Sequence, residues 1–307
     1  MQTIHNIPAE LPQPCVATIG FFDGVHRGHR FLIQQVREVA AVKGLHSALI
    51  TFPVHPRKVM NSAYHPELLT TCDEKLALLE ETGVDYCMML DFTPEVSHLS
   101  AQEFMFTILK EQYNVQTLVI GYDHRFGHNR SEGFDDYCRY GEAMGMEVVL
   151  AHAYTSGDIQ ISSSVVRNFL HEGKVEMACR CLGYDYFLDG IVVSGHQVGR
   201  KIGFPTANLQ VDDPDKLVPA YGVYAVYVTL DGKRYKGMLS IGIRPTIGNG
   251  TDRSIEVNIL HFNADIYSKT LRLTFIKYLR PELKFDTIGE LVQQLHQDEA
   301  DTEALLQ

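Results

Sequence analysis

The sequence predicts a doubly wound α/β domain over residues 1–182, followed over residues 183–307 by an antiparallel β-barrel with a C-terminal helix. Three observations predict this. The chain has 307 residues, more than one hydrophobic core ordinarily serves. Its first half alternates short aliphatic runs with helical stretches, which implies parallel pairing. Its second half is a series of β-rich runs with little helical period before residue 287.

In the first half CVATIGF (15–21) reads as the first of five strands, followed by a helix from about Gly28 to Lys43. HSALITF (46–52), YCMMLDF (86–92), TLVIG (117–121) and EVVLAHAY (147–154) supply the other strands. Between them lie helices near Asp73–Glu81, from the capping box Ser100-x-x-Glu103, and near Glu132–Met144. Two more helical pieces, Ser162–His171 and Lys174–Leu182, end the domain. In the second half FLDGIVVSG, GVYAVYVTL, RYKGMLSIG, SIEVNILHF and TLRLTFIKYL read as strands, and Asp231-Gly232 reads as a hairpin turn. A second capping box, Thr287 to Glu290, opens the last helix.

Composition narrows the function. Lys plus Arg number 27 and Asp plus Glu 38, a net charge of −11. Residues 1–182 carry 14 basic and 22 acidic groups, and residues 183–307 carry 13 and 16, so neither half offers an electrostatic clamp for nucleic acid or anionic lipid. The first residues lack the charged and apolar regions of a signal peptide, and no apolar run is long enough to span a bilayer, so a cytoplasmic location is expected. Six cysteines without a C-x-x-C pair read as free thiols.

The strongest local signal follows the first strand: Gly20-Phe21-Phe22-Asp23-Gly24-Val25-His26-Arg27-Gly28-His29. Composition alone yields H-x-G-H roughly 0.05 times in such a chain. A glycine-rich turn from strand to helix exposes backbone N–H groups and the positive helix end, both favourable to phosphate. Gly28 permits close approach, and His26 and His29 can donate to phosphate oxygens. Thr51-Phe52-Pro53-Val54-His55-Pro56, Gly121-Tyr122-Asp123-His124-Arg125-Phe126-Gly127 and Ile161-Ser162-Ser163-Ser164-Val165-Val166-Arg167 follow later strands, where such a sheet binds ligands. Taken singly, the serine run also reads as an N-cap and Asp123 as a turn former.

Together these motifs resemble the FMN adenylyltransferase module of bacterial bifunctional riboflavin kinase/FAD synthetases, a Rossmann-like nucleotidyltransferase fold. The resemblance implies that His26 and His29 stabilise the ATP phosphates while the FMN phosphate attacks the α-phosphorus. It implies that Ser163, Ser164 and Arg167 bind the triphosphate, with Gly20, Phe21, Asp23, Gly28 and Asp123 also on the nucleotide. His55, Pro56 and Arg125 are the implied flavin contacts. Ser164 stands where the family usually has threonine, and Gln160 where many members have arginine.

In the second half Gly199-Arg200-Lys201-Ile202-Gly203-Phe204-Pro205-Thr206-Ala207-Asn208 is a glycine-flanked polar turn. Thr206 and Asn208, two apart on an extended segment, can share a face and offer neutral oxygens to Mg²⁺. Pattern alone equally allows a hairpin corner, and reads Glu256 as an outward-facing charge on an apolar strand. The longer string resembles the riboflavin kinase signature. It implies ATP contacts at Gly199, Lys201, Gly203, Pro205, Thr206 and Asn208, with Mg²⁺ at Thr206 and Asn208. It also implies Glu256 as the base for the riboflavin 5′-hydroxyl and a flavin contact at Arg280. The expected substrates are riboflavin, FMN and ATP. Another H-x-G-H nucleotidyltransferase and a non-catalytic flavin-binding module are the alternatives.

Overall fold

The computed structural model describes residues 1–6, 11–121, 125–128, 131–154, 160–195, 198–245 and 251–306. They form two compact units, Met1–Ser163 and Ser164–Gln307.

The first unit is a parallel sheet of six strands: β1 (Gln2–His5), β2 (Cys15–Ile19), β3 (His46–Thr51), β4 (Tyr86–Met89), β5 (Val115–Ile120) and β6 (Glu147–Leu150), in the order β1-β4-β3-β2-β5-β6. Its helices are α1 (Arg27–Lys43), α2 (Pro56–Met60), α3 (Cys72–Glu80), α4 (Pro94–His98), α5 (Ala101–Phe104) and α6 (Phe134–Met144), and α5 continues as a π-helix over Met105–Gln112. The capping box at Ser100 and Glu103 is present. Five of the strands were expected. β1 is the sixth, pairing Gln2 with Tyr86 through His5 with Met89. It escapes pattern reading because QTIH is a short edge strand, half-exposed and mixed in polarity.

Successive residues of β2 feed opposite faces. Cys15, Ala17 and Ile19 pack with Phe104, Met105 and Tyr137, whereas Val16 packs with Val36, Ala40 and Val119 under α1. All five residues of β2 are buried, as expected of a parallel strand covered on both sides. Burial pushes the thiols of Cys15 in β2 and Cys87 in β4 up to about 12. Between pH 9 and 12 the unfolded chain ionises these thiols while the folded unit keeps them protonated. Stability therefore falls as pH rises, by roughly 1.4 kcal/mol per pH unit for each thiol. A Cys15→Ala/Cys87→Ala variant should show a shallower decline in thermal stability above pH 9 than the parent; an equally steep one contradicts this.

The second unit contains α7 (which begins at Ser163 and runs to His171), α8 (Val175–Leu182), β7 (Phe187–Val193), α9 (Val198–Lys201), β8 (Ala207–Gln210), β9 (Gly222–Leu230), β10 (Lys233–Pro245), β11 (Thr251–Ile259), β12 (Thr270–Arg280) and α10 (Ile288–Leu305). The strands close into a barrel in the order β10-β11-β8-β7-β12-β9. β8 is a sixth strand where pattern gave a polar turn, and its pairing to both β7 and β11 completes the ring. Asp231 and Gly232 make the β9–β10 hairpin with φ of 47° and 77°, the paired left-handed conformation of a tight primed turn. At α10 the Thr287 hydroxyl caps Glu290 N, but the Glu290 carboxylate accepts from Asp286 N, so the expected reciprocal box is only half formed.

The two compact units divide at Ser163/Ser164, and α7 and α8 pack with the barrel. Ala220 N donates to Leu170 O, Tyr186 N donates to Cys179 Sγ, and Lys277 pairs with Glu176 across α8 and β12. The rhythm of a sequence marks where strands change type; it does not show which core a connecting helix joins.

Candidate active sites

In the first unit the sheet order reverses between β2 and β5, so loops leaving these two strands flank the crevice where an open parallel sheet takes its ligand. The loop after β2 is the H-x-G-H turn. Phe22, Gly24 and Val25 have φ of 56°, 76° and 36°. The two non-glycine residues pay for that strain by being buried, Phe22 at 2% exposure and Val25 at 0%. The buried Asp23 carboxylate fixes the turn from the other side, accepting from Leu69 N at 2.9 Å and from Thr70 N at 3.2 Å, while Gly24 N donates to Thr70 Oγ1. Asp23 thus shapes the turn through its carboxylate.

The turn delivers the two histidines. His26 is the N-cap of α1, and its Nδ1 accepts from His29 N at 3.3 Å. That bond places the ring proton on Nε2, a tautomer assigned from the hydrogen bond. The His26 and His29 rings stack with centroids 3.6 Å apart, and Phe22 meets His29 edge-on. A side chain on Gly28 would crowd the His26 ring and the carbonyl of Ile161. Ser163 Oγ donates to the Asp23 carbonyl at 3.0 Å. Ser164 is exposed at the start of α7, and Arg167 lies one turn further along that helix.

Among the flavin candidates, His55 caps α2 through Nδ1 to Arg57 N, Pro56 occupies its first turn, and the Phe21 ring packs edge-on to His55 at 4.7 Å. Pro56, Arg57, Met60, Asn61, Tyr64 and Phe92 line a cavity of about 460 Å³ beside them. Arg125 is exposed; its neighbour Phe126 stacks on Tyr137, and Gly127, at φ 88°, lies against the backbone of Ala101. Asp123 lies outside the described residues, as do Tyr122 and His124.

In the second unit Glu256 and Asn208 stand directly opposite each other on β11 and β8, and Ser240 faces Glu256 from β10. The three side chains therefore form a row on one face of the barrel wall. Thr206 Oγ1 donates to Glu256 Oε2 at 3.1 Å. The glycine at 199 admits the Phe204 carbonyl where a side chain would collide, and Gly203 turns the chain at φ 88°. Thr206 and Pro205 line a cavity of about 570 Å³ with Arg200, Val257 and Phe262. The side chain of Lys201 lies outside the described part.

Arg280, the implied flavin contact, is held by the last helix. Its guanidinium forks onto Asp298, with Nε to Oδ1 at 2.9 Å and Nη2 to Oδ2 at 2.7 Å, and Nη1 donates to Pro281 O. This largely buried pair pins α10 to the end of β12.

Four residues contribute that motif reading did not single out. Asn258, two beyond Glu256 on the same strand face, donates Nδ2 to Pro205 O at 2.7 Å and so holds the turn that carries Thr206; the period-2 spacing could have found it. Gly195 leaves room for the Asn208 amide, into which a Cβ would run. Thr70 and Lys75 brace the H-x-G-H turn from outside any motif.

No group of three or more His, Cys, Asp or Glu side chains is arranged around a metal position among the described residues. The second unit instead gathers a hydroxyl, an amide and a carboxylate at Thr206, Asn208 and Glu256, the hard oxygen donors that suit Mg²⁺.

A family model described as FAD synthetase matches residues 9–165, and one described as riboflavin kinase matches residues 182–306. The chain belongs to the bifunctional riboflavin kinase/FMN adenylyltransferase family. A riboflavin kinase/FMN adenylyltransferase of Listeria monocytogenes is 38% identical over 290 residues, covering 94% of this chain and 91% of its own length. The bifunctional enzyme of Escherichia coli K12 is 35% identical over 297 residues, 96% of this chain and 94% of its own. A crystal structure from Streptococcus pneumoniae, titled a macrolide-efflux protein, superposes with a TM-score of 0.89 at 33% identity over 98% of both chains. No helix among the described residues here is long and apolar enough to cross a membrane.

Proposed function

We propose that the second unit phosphorylates riboflavin to FMN with ATP and that the first unit transfers the adenylyl group of a second ATP to FMN, giving FAD and pyrophosphate. The observation that carries this reading is that each unit assembles its own set: the stacked histidines on a strained glycine turn in one, and the Thr206–Glu256 pair opposite Asn208 in the other.

In the kinase step the 5′-hydroxyl of riboflavin attacks the γ-phosphorus of ATP, and Glu256 takes the hydroxyl proton as that bond forms while ADP leaves. Thr206 and Asn208 would hold Mg²⁺, which supplies charge neutralisation to the phosphates. Asn258 keeps Thr206 in place through Pro205. Gly199 and Gly203 shape the turn over the nucleotide, and Arg280, held by Asp298, is the proposed flavin contact.

In the adenylyl step the FMN phosphate attacks the α-phosphorus of ATP. His26, with Nδ1 committed to the helix cap, donates through Nε2 to the phosphates, and His29 beside it shares the charge that builds there. Ser163, Ser164 and Arg167 are the proposed triphosphate contacts, and Gly20, Phe21, Asp23, Gly28 and Asp123 the proposed nucleotide contacts. His55, Pro56 and Arg125 take the flavin. An ATP-rich, thiol-reducing cytoplasm suits both steps and the six free cysteines.

Incubation with riboflavin and Mg-ATP, followed by chromatography, should yield FMN, then FAD with equimolar pyrophosphate. Bound but unmodified riboflavin would instead support a binding module, and FAD from supplied FMN with no phosphorylation of riboflavin would limit the activity to nucleotidyl transfer.

A further inference from the structure

Lys75 is 2% exposed, in the first turns of α3, yet among the described residues its ammonium has no carboxylate in hydrogen-bonding contact. It donates to Phe52 O at 2.8 Å, Phe21 O at 3.2 Å and Thr51 Oγ1 at 3.3 Å, and sits 4.2 Å from the centre of the Phe21 ring. Three donors thus meet three acceptors. The Thr51 hydroxyl donates in turn to Phe21 O at 3.2 Å, closing the network. Burial pulls its pKa down, and the charge of the buried Asp23 carboxylate nearby opposes that shift. A methionine would fill the same space without the burial penalty, so beyond offsetting Asp23 the charge serves the oxygens it touches.

Phe21 and Phe52 leave the carboxyl ends of adjacent strands β2 and β3, the first in the nucleotide turn and the second in the loop leading to His55 and Pro56. Two carbonyl oxygens converging at a parallel sheet's carboxyl edge repel each other. They also present negative dipole ends to a site that must bring two phosphates together. We infer that Lys75 is a positioning residue for FMN adenylylation: its ammonium draws the two loops together, holds Phe21 against His55, and places positive charge beneath the phosphates. This inference rests on the reading of the first unit as an adenylyltransferase. The shortest bond is to the β3 loop, so the flavin substrate should feel its loss most.

The test uses the whole chain, whose kinase reaction reports on the other unit. In Lys75→Met, the KM for FMN in the adenylyl reaction should rise about ten-fold, with kcat and the KM for ATP within about three-fold of the parent and riboflavin phosphorylation unchanged. A parent KM for FMN in that variant overturns the inference, as does an equal loss in kcat and in both KM values. Should Lys75→Met lose the thermal transition of the first unit, Thr51→Val decides. It is fully buried and close in shape, removes only one of the ammonium's acceptors, and should raise the KM for FMN about three-fold with the first unit still folded; no change there overturns the inference. A parent that makes no FAD would defeat the functional reading itself, a distinguishable result.

Discussion

Glu256→Ala should abolish formation of FMN from riboflavin while supplied FMN is still converted to FAD at the parent rate. The expected loss in kcat is about 10²- to 10⁴-fold, the usual contribution of a positioned general base. The fold should survive, because Glu256 is half-buried on β11 and its backbone pairing with Asn208 and Ser240 does not involve the side chain. Glu256→Gln refines the test. The amide oxygen can still accept from Thr206, so the turn stays in place, but it cannot take a proton at neutral pH. If the Glu256→Gln variant retained parent activity, Glu256 would only be orienting Thr206. Chromatography of the products from riboflavin and, separately, from FMN distinguishes these outcomes, and equal loss of both reactions would refute the division of labour between units.

Asn258 makes the same point about support. Glu256 and Asn258 share a strand face, yet one accepts from Thr206 while the other holds Pro205. Alternation showed that the two residues point the same way. It could not show that a loop fifty residues earlier would lie against them, because that contact depends on β8 inserting between β7 and β11. The short strand was hidden in a segment that begins with Pro205 and reads as a turn. The same limit applies to Arg280. Its place near the last helix was legible, but its partner Asp298, 18 residues on and buried, became evident only once α10 was docked.

In the first unit the interactions that shape the motif loops come from outside the motifs. The five main strands followed from alternation of aliphatic runs with helices. The strand order, and hence the β2/β5 switch point, did not, since a parallel strand can be inserted on either side at equal local propensity. By resemblance Asp23 is expected on the nucleotide. In the fold it accepts from the backbone of Leu69 and Thr70, 46 and 47 residues away. Lys75 looks like one more charge on a helix, and only the collapse of α3 onto the ends of β2 and β3 makes it interior.

His29→Ala should stop the pathway at FMN, lowering adenylyl transfer by about 10²- to 10³-fold, the range for losing one donor to transition-state charge. His26 needs a different substitution because it has two tasks. Alanine would remove the N-cap acceptor as well as the Nε2 donor, costing helix α1 about 1 kcal/mol and confusing the two effects. Asparagine keeps a good capping oxygen for His29 N and removes the imidazole. His26→Asn should therefore unfold at nearly the parent temperature and still lose FAD synthesis, with riboflavin phosphorylation unaffected in both variants. The stacking sharpens the expectation: with ring centroids 3.6 Å apart, both imidazoles would meet the same developing phosphate charge. The defect should accordingly appear in kcat, where charge builds on the α-phosphate, more than in the KM for ATP. FAD formation at the parent rate in His29→Ala, measured from FMN and ATP by pyrophosphate release, would remove the histidine turn from the chemistry.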